Sequence, residues 1–278
     1  MRIIAFLAGV SALSAVAYGT TVGNLNLGTA ASFGLIGGTI SNTGVSTVTG
    51  NVGAPTTITG FPPGTATGTV FAAGDPAAIA AYNDFVQAYI TAYSDILTAP
   101  TQSFADLSVS RGFTGNNVYS FSATDVVSTT GITLTFDAQN DSSEVFIIKI
   151  PRDLTINGPL TFNLMNSAAA SNIYWIVGRT ATIGSEGPAI TWDGSILAGT
   201  SFTMSANPGG SGVLAGTING CVFAETANTL AGQTSVGGCA STAGSPGAVP
   251  EPNMAGVLGI ALCFGGFAVR RRKAASLR

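Results

Sequence analysis

Few side chains in this sequence can do chemistry. The 278-residue chain has no His. That removes imidazole-based triads, His-ligated zinc and imidazole pH switches. Three of its thirteen acids, Asp137, Asp141 and Glu144, sit around one turn, with Asp153 nearby. In a carbohydrate-active enzyme or a calcium loop such carboxylates would be acids, bases or ligands. In a turn of this kind they more often form the turn and face water. No phosphate loop and no thiol–imidazole pair is present, so neither an enzyme nor a bound cofactor or metal is expected. Cys221 and Cys239 are the two cysteines of the body. In an exported chain they are expected to pair, the other reading being two buried thiols.

The second recurring chemistry is a hydroxyl beside a methyl. Thr155 lies between Leu154 and Ile156, Thr180 and Thr182 flank Ala181, and Ser201, Thr203 and Ser205 alternate with Phe202 and Met204. Ala227 and Thr229 precede Leu230. Alternation points the apolar set inward and Thr155, Thr180, Thr182, Ser201, Thr203, Ser205, Ala227 and Thr229 outward. Stacked strands lie ~4.8 Å apart and outward neighbours ~7 Å apart. Thr is stiff at χ1, so such a grid loses little entropy on meeting an ordered surface, and a lattice of ordered water is one surface it matches. Thr is also simply a good strand former with one face in water. A second set alternates in the same way: Thr133 and Thr135, Thr161 and Asn163, then Thr191.

Positioning these columns requires stacked strands. Five segments open on apolar runs beginning at Val118, Val145, Ile173, Ser195 and Cys221, at intervals of 27, 28, 22 and 26 residues. Periods of this length point to a solenoid whose coils contact only their neighbours. Each segment divides into three short strands, giving an all-β-dominated, three-faced β-solenoid. The first strands, such as Val145 to Ile148 and Ile173 to Val177, are apolar on both sides and need a cover on both. The cover is one long helix over about 75–98. Asp75 caps it, Pro76 suits its first turn and Pro100 ends it. Ile79, Tyr82, Val86, Tyr89, Ile90, Tyr93 and Leu97 recur at helical spacing as its apolar face.

Charged residues are only 8% of the chain, against roughly 25% in an ordinary soluble domain. Between Thr20 and Val249 four basic residues face twelve acids, a net charge of −8. Nucleic acid is therefore excluded as a partner. At the N-terminus, Met1-Arg2 followed by an apolar run to Ala17 reads as a signal peptide over residues 1–19. The body is expected over 20–240 and a Gly/Ser/Pro-containing linker over 241–252. Residues 253–278 then form an apolar segment with a basic stop, Arg270 to Lys273. This tail, with Pro250, Glu251 and Pro252, resembles the bacterial PEP-type sorting signal, which implies surface or exopolysaccharide targeting.

The body resembles the ice-binding-like domain of secreted antifreeze proteins. The resemblance rests on Leu27-Gly28-Thr29-Ala30-Ala31-Ser32-Phe33, Thr49-Gly50-Asn51-Val52-Gly53, Asn172 to Gly178, Ile196 to Ser201 and Asn219 to Ala224. It implies a discontinuous, right-handed solenoid with a helix alongside and N-terminal strands inserted beside the last coil. It also implies an ice crystal as partner, bound by one flat Thr-rich face of a monomeric, secreted protein. The family's Thr-Ala/Gly-x-Thr/Asn pattern is matched by Thr226-Ala227-Asn228-Thr229 and nearly by Thr200-Ser201-Phe202-Thr203, which favours the second-strand face. Arg152, Asp153 and Asp125 depart from it and are expected to disturb the plane at one end. The alternative function is a non-enzymatic surface protein or exopolysaccharide-matrix adhesin, held to a membrane only through the C-terminal segment.

Overall fold

Parallel strands wind into a three-sided coil in the computed structural model of the chain, and every strand ladder among the described residues is parallel. The structure describes residues 25–94, 102–115, 117–184, 189–204 and 214–239. The expected leader (1–19), the linker and tail (241–278), Ser205 and the helix beyond Ser94, with Leu97, lie outside the described residues.

The first side stacks Gln102–Phe104, Asn117–Phe121, Phe146–Ile150, Ile173–Val177 and Ser195–Ala198, then the first half of Val222–Leu230. The second side stacks Val126–Ser128, Leu154–Ile156, Thr180–Ile183 and Ser201–Met204, then the second half of Val222–Leu230. The third side is two sheets. One holds Arg111–Thr114, Ile132–Asp137 and Leu160–Met165; the other runs Ile190–Asp193, Leu214–Asn219, Gln233–Val236, Thr47–Val48 and Thr65–Ala66.

The coils do not stack in chain order. The N-terminal strand Phe33–Asn42 lies beside Val222–Leu230, pairing Leu35 with Val222 and Ser41 with Thr229. On its other edge it pairs with Asn51–Gly53 on the first side and Thr57–Thr59 on the second. The chain's beginning thus continues the stack past its last coil, as the resemblance implies.

The stacked column Tyr119, Ile148, Trp175, Ile196 and Val222 sets the true register. The coils are 29, 27, 21 and 26 residues long, so the openings at Val145 and Ile173 assumed from sequence are shifted against Val118. The physical reason is the double burial of these strands. A run that is apolar on both sides has no period-2 phase to read. Like side chains then stack along the interior. Phe113, Phe136 and Phe162 are parallel at 4.6 and 6.0 Å, and Trp175 and Trp192 are 4.7 Å apart.

The helix, Pro76–Ser94, begins as expected: the Ala77 N–H donates to Asp75 Oδ1 at 2.8 Å. Asp84 also accepts from the Thr29 N–H and hydroxyl, tying the 3-10 turn Gly28–Ser32 to the helix. The buried face, however, is Ala78, Ala81, Phe85, Ala88, Tyr89 and Ala92. Of the stripe read from sequence, Ile79, Ile90 and Tyr93 are 37%, 46% and 36% exposed. The sheet supplies the bulk here, through Val118, Ile147, Tyr174, Ile176, Leu197 and Phe223. A helix lying close against those side chains presents alanines, and large-residue periodicity points to the wrong flank.

Cys221 and Cys239 are disulfide-bonded, closing a loop of sequence separation 18 around the last coil. Replacing both with Ala is expected to cost about 3 kcal/mol, the loop-entropy value for a ring of this size. The denaturant midpoint of the double variant, against native protein, checks this. An unchanged midpoint would show that the inserted N-terminal strand already holds the coil shut.

Candidate functional site

The second side is built from strands whose inward residues are fully buried. Leu154, Ile156, Ala181, Ile183, Phe202, Met204 and Leu230 are all at 0% exposure. Since side chains alternate, the residues between them must face out. Thr155, Thr182, Thr203 and Thr229 stand in direct register, each beside the next. The column continues through Ser41 to Thr59 on the inserted N-terminal strands. Two residues earlier on each strand a second column runs Thr180, Ser201, Ala227, Thr39 and Thr57. Every member of both columns is half-buried or exposed.

Most of these hydroxyls are left to solvent. The side-chain hydroxyls of Thr155, Thr182, Thr203 and Thr229 have no protein hydrogen-bond partner among the described residues. Thr180 and Ser201 share a bond of 3.3 Å across adjacent strands, and Thr39 donates to Thr226 O at 3.3 Å. The result is a plane of small side chains on fixed backbone. Its spacings are ~4.8 Å across strands and ~7 Å along them.

One end of the plane is charged. Arg152 pairs with Asp125 at 3.6 Å and Asp153 at 4.0 Å, and Arg179 pairs with Asp153 at 3.6 Å. Asp153 also accepts from the Thr180 N–H, so it takes the place of a hydroxyl residue in the second column. In the first column Val127 stands beside Thr155 and is 44% exposed. The hydroxyl grid therefore starts at Thr155 and extends away from these charges. Sequence reading missed Thr39, Ser41, Thr57 and Thr59. Their alternation is visible in Thr39-Ile40-Ser41 and Thr57-Ile58-Thr59, but nothing local says which strand they join.

Asn228, between Ala227 and Thr229, points inward, and its Nδ2 donates to Ile36 O at 2.6 Å. It serves the seam with the inserted strand rather than the plane.

The third side also carries a column, Thr191, Thr217, Ser235, Thr47 and Thr65. Two of its strands are only two residues long. Thr133 and Thr161, with Thr135 and Asn163, lie in the separate three-stranded sheet. The second side is the more continuous plane.

The carboxylates grouped by sequence do not converge. Asp137 accepts from the Gln139 N–H and Asn166 Nδ2, and Asp141 from the Ser143 N–H and hydroxyl. These donors stabilise the ionised carboxylates and hold the pKa of both below the ordinary carboxylate value. Burial, with a smaller push from Asp141, raises Glu144. Asp153 belongs to the ion pairs of the second side, and no group of three metal-ligating side chains occurs among the described residues.

A family model described as ice-binding-like matches residues 35–236, which span both columns. The chain belongs to the ice-binding-like family. It is 32% identical to an ice-binding protein of Nostoc sp. (strain HG1) over 251 residues, covering 88% of this chain and 87% of that one. It is similar to the crystal structure of an ice binding protein from an Antarctic biological consortium, with TM-score 0.62 and 27% identity over 84% of this chain and 95% of that one. It is also similar to an ice-binding protein from the ascomycete Antarctomyces psychrotrophicus, with TM-score 0.64 and 28% identity. That match covers 76% of this chain and 98% of that structure. In this ice-binding-like domain the opening motif forms the 3-10 turn Gly28–Ser32 against the helix, and Ile173–Val177 is the fully buried strand beneath it.

Proposed function

We propose that the protein adsorbs to ice through the second side and so restrains ice growth and recrystallisation. The observation that carries this is the pair of in-register columns, Thr155 to Thr59 and Thr180 to Thr57, on six and five parallel strands. Methyls and hydroxyls at fixed spacing order a water layer that merges with the crystal. Adsorbed molecules then curve the growing front between them, and a curved front needs a lower temperature to advance. Membership of a family whose named relatives are ice-binding proteins supports the same reading. Thr155, Thr180, Thr182, Ser201, Thr203, Ser205, Ala227 and Thr229 would meet the ice, joined by Thr39, Ser41, Thr57 and Thr59. The protein would act outside the cell as a monomer. Its leader would direct export, and its Pro250-Glu251-Pro252 tail would hold it at the surface or in an exopolysaccharide matrix.

Purified protein is expected to facet ice crystals and to stop their coarsening in an annealed polycrystalline film. Round crystals and unchanged coarsening from folded protein would overturn the proposal and leave the matrix-protein reading.

A further inference from the structure

The helix does more than cover the first side. Three of its tyrosines reach past the sheet to the corner where each coil turns from the first side to the second. Tyr93 donates to Pro151 O at 2.7 Å and Tyr82 to Glu225 O at 2.7 Å. Tyr89 lies between Val177 O and Gly178 O, at 3.2 and 3.3 Å.

These carbonyls occupy equivalent places. Ile150, Val177, Ala198 and Ala224 are in register, so Pro151, Gly178, Gly199 and Glu225 are the same corner in four successive coils. The backbone ladder skips this corner. The Gly178 N–H donates to Ile150 O and the Arg179 N–H to Arg152 O, passing over Pro151 O. The Gly199 N–H donates to Val177 O and the Thr200 N–H to Arg179 O, passing over Gly178 O. A carbonyl left by the ladder is what the phenol takes.

The corners are also cut to fit. A Cβ on Gly199 would strike the Tyr89 hydroxyl, and one on Gly178 would meet the Tyr93 hydroxyl. Burial raises the Tyr82 and Tyr89 phenols above their ordinary value, so both stay protonated donors. The spacing closes too. Tyr82 and Tyr93 are eleven residues apart, ~16.5 Å along a helix. Three coil intervals are ~14.4 Å, and a modest helix tilt takes up the difference.

We propose that Tyr82, Tyr89 and Tyr93 are positioning residues for the ice-facing strands, holding the coil corners at the pitch that keeps the second side flat. This rests on the function proposed above. The corner lies two residues before Thr180 and Ser201 and two before Ala227, so a shift there passes directly into the second column. An interface of this kind depends on its supporting groups to a fraction of an ångström.

The test is the triple variant Tyr82→Phe/Tyr89→Phe/Tyr93→Phe, beside Tyr119→Phe. Each change keeps the ring and deletes one hydroxyl. Tyr119 is the control because its hydroxyl bonds Thr114 N and O, in a turn away from the corners. Thermal hysteresis is read well below both melting temperatures, and amide exchange is read at Arg179, Thr200 and Thr226. The triple variant is expected to keep its fold, exchange faster at those amides and retain about a third or less of native hysteresis. Tyr119→Phe is expected to retain native hysteresis. Native hysteresis in the triple variant overturns the positioning role and leaves the function standing. If native protein itself leaves ice unaltered, the function fails separately. The exchange readout then decides the corner contact alone, and unchanged protection overturns it.

Discussion

The Thr229→Tyr variant is expected to lose nearly all ice activity while remaining folded. Thr229 sits in the middle of the first column, with Thr203 on one side and Ser41 on the other. A phenol ring there stands proud of its neighbours and holds the crystal off the hydroxyls around it. Because the side chain points outward, the interior residues Phe202 and Leu230 keep their packing, and stability should move by no more than about 0.5 kcal/mol. Thr203→Tyr should behave alike, one strand along. The paired control is Thr217→Tyr on the third side, also outward-facing in a regular column. Crystal shaping and hysteresis lost with Thr229→Tyr and kept with Thr217→Tyr would assign the contact to the second side. The reverse pattern would move it to the third, where Thr191, Ser235, Thr47 and Thr65 complete the column.

Phe85→Ala should have the largest effect on stability. Phe85 is fully buried where the helix meets the sheet. Its ring lies 5.4 Å from Phe223 and 6.1 Å from Tyr82. The rest of the helix's buried face is mainly Ala, so no neighbour on the helix can fill the space. Removing a buried Phe costs about 3–5 kcal/mol, from lost transfer energy and the cavity left behind. A domain is stable by only about 5–15 kcal/mol, so the variant should melt far earlier. It should also bind an apolar dye through the uncovered strands Ile173–Val177 and Ser195–Ala198. An unchanged melting temperature would mean that the helix is incidental to the fold.

The helix start and the alternating second strands were legible because their signals are local. Asp75-Pro76 needs only its own first turn, and Leu154-Thr155-Ile156 carries its own phase. Three features were not. Val145 immediately precedes, and Ile173 opens, a strand buried on both sides, and such strands look alike in either register. The docked face of the helix is alanine, the least conspicuous apolar residue, whereas Ile79 and Ile90 advertise a flank that stays in solvent. Thr39, Ser41, Thr57 and Thr59 alternate plainly, but the partner of Ile40 is Asn228, and alternation names no partner. The resemblance to a known family supplied that insertion where pattern reading stopped. Asp125, Arg152 and Asp153 were legible as charges at one end of that side; their ion pairs, and the part Arg179 takes in them, were not.

The inserted strand also governs when the molecule can be finished. Phe33–Asn42 is made early, yet one of its edges waits for Val222–Leu230. At ordinary rates of synthesis that wait is roughly 10–40 s. Until then an apolar strand with Leu35, Ile36 and Ile40 is open along the side its last neighbour will cover. A nascent chain of this design cannot close coil by coil from its first residue. It closes when the coil holding Val222–Leu230 arrives, which keeps the stack unfinished for as long as the residues between these two strands take to make.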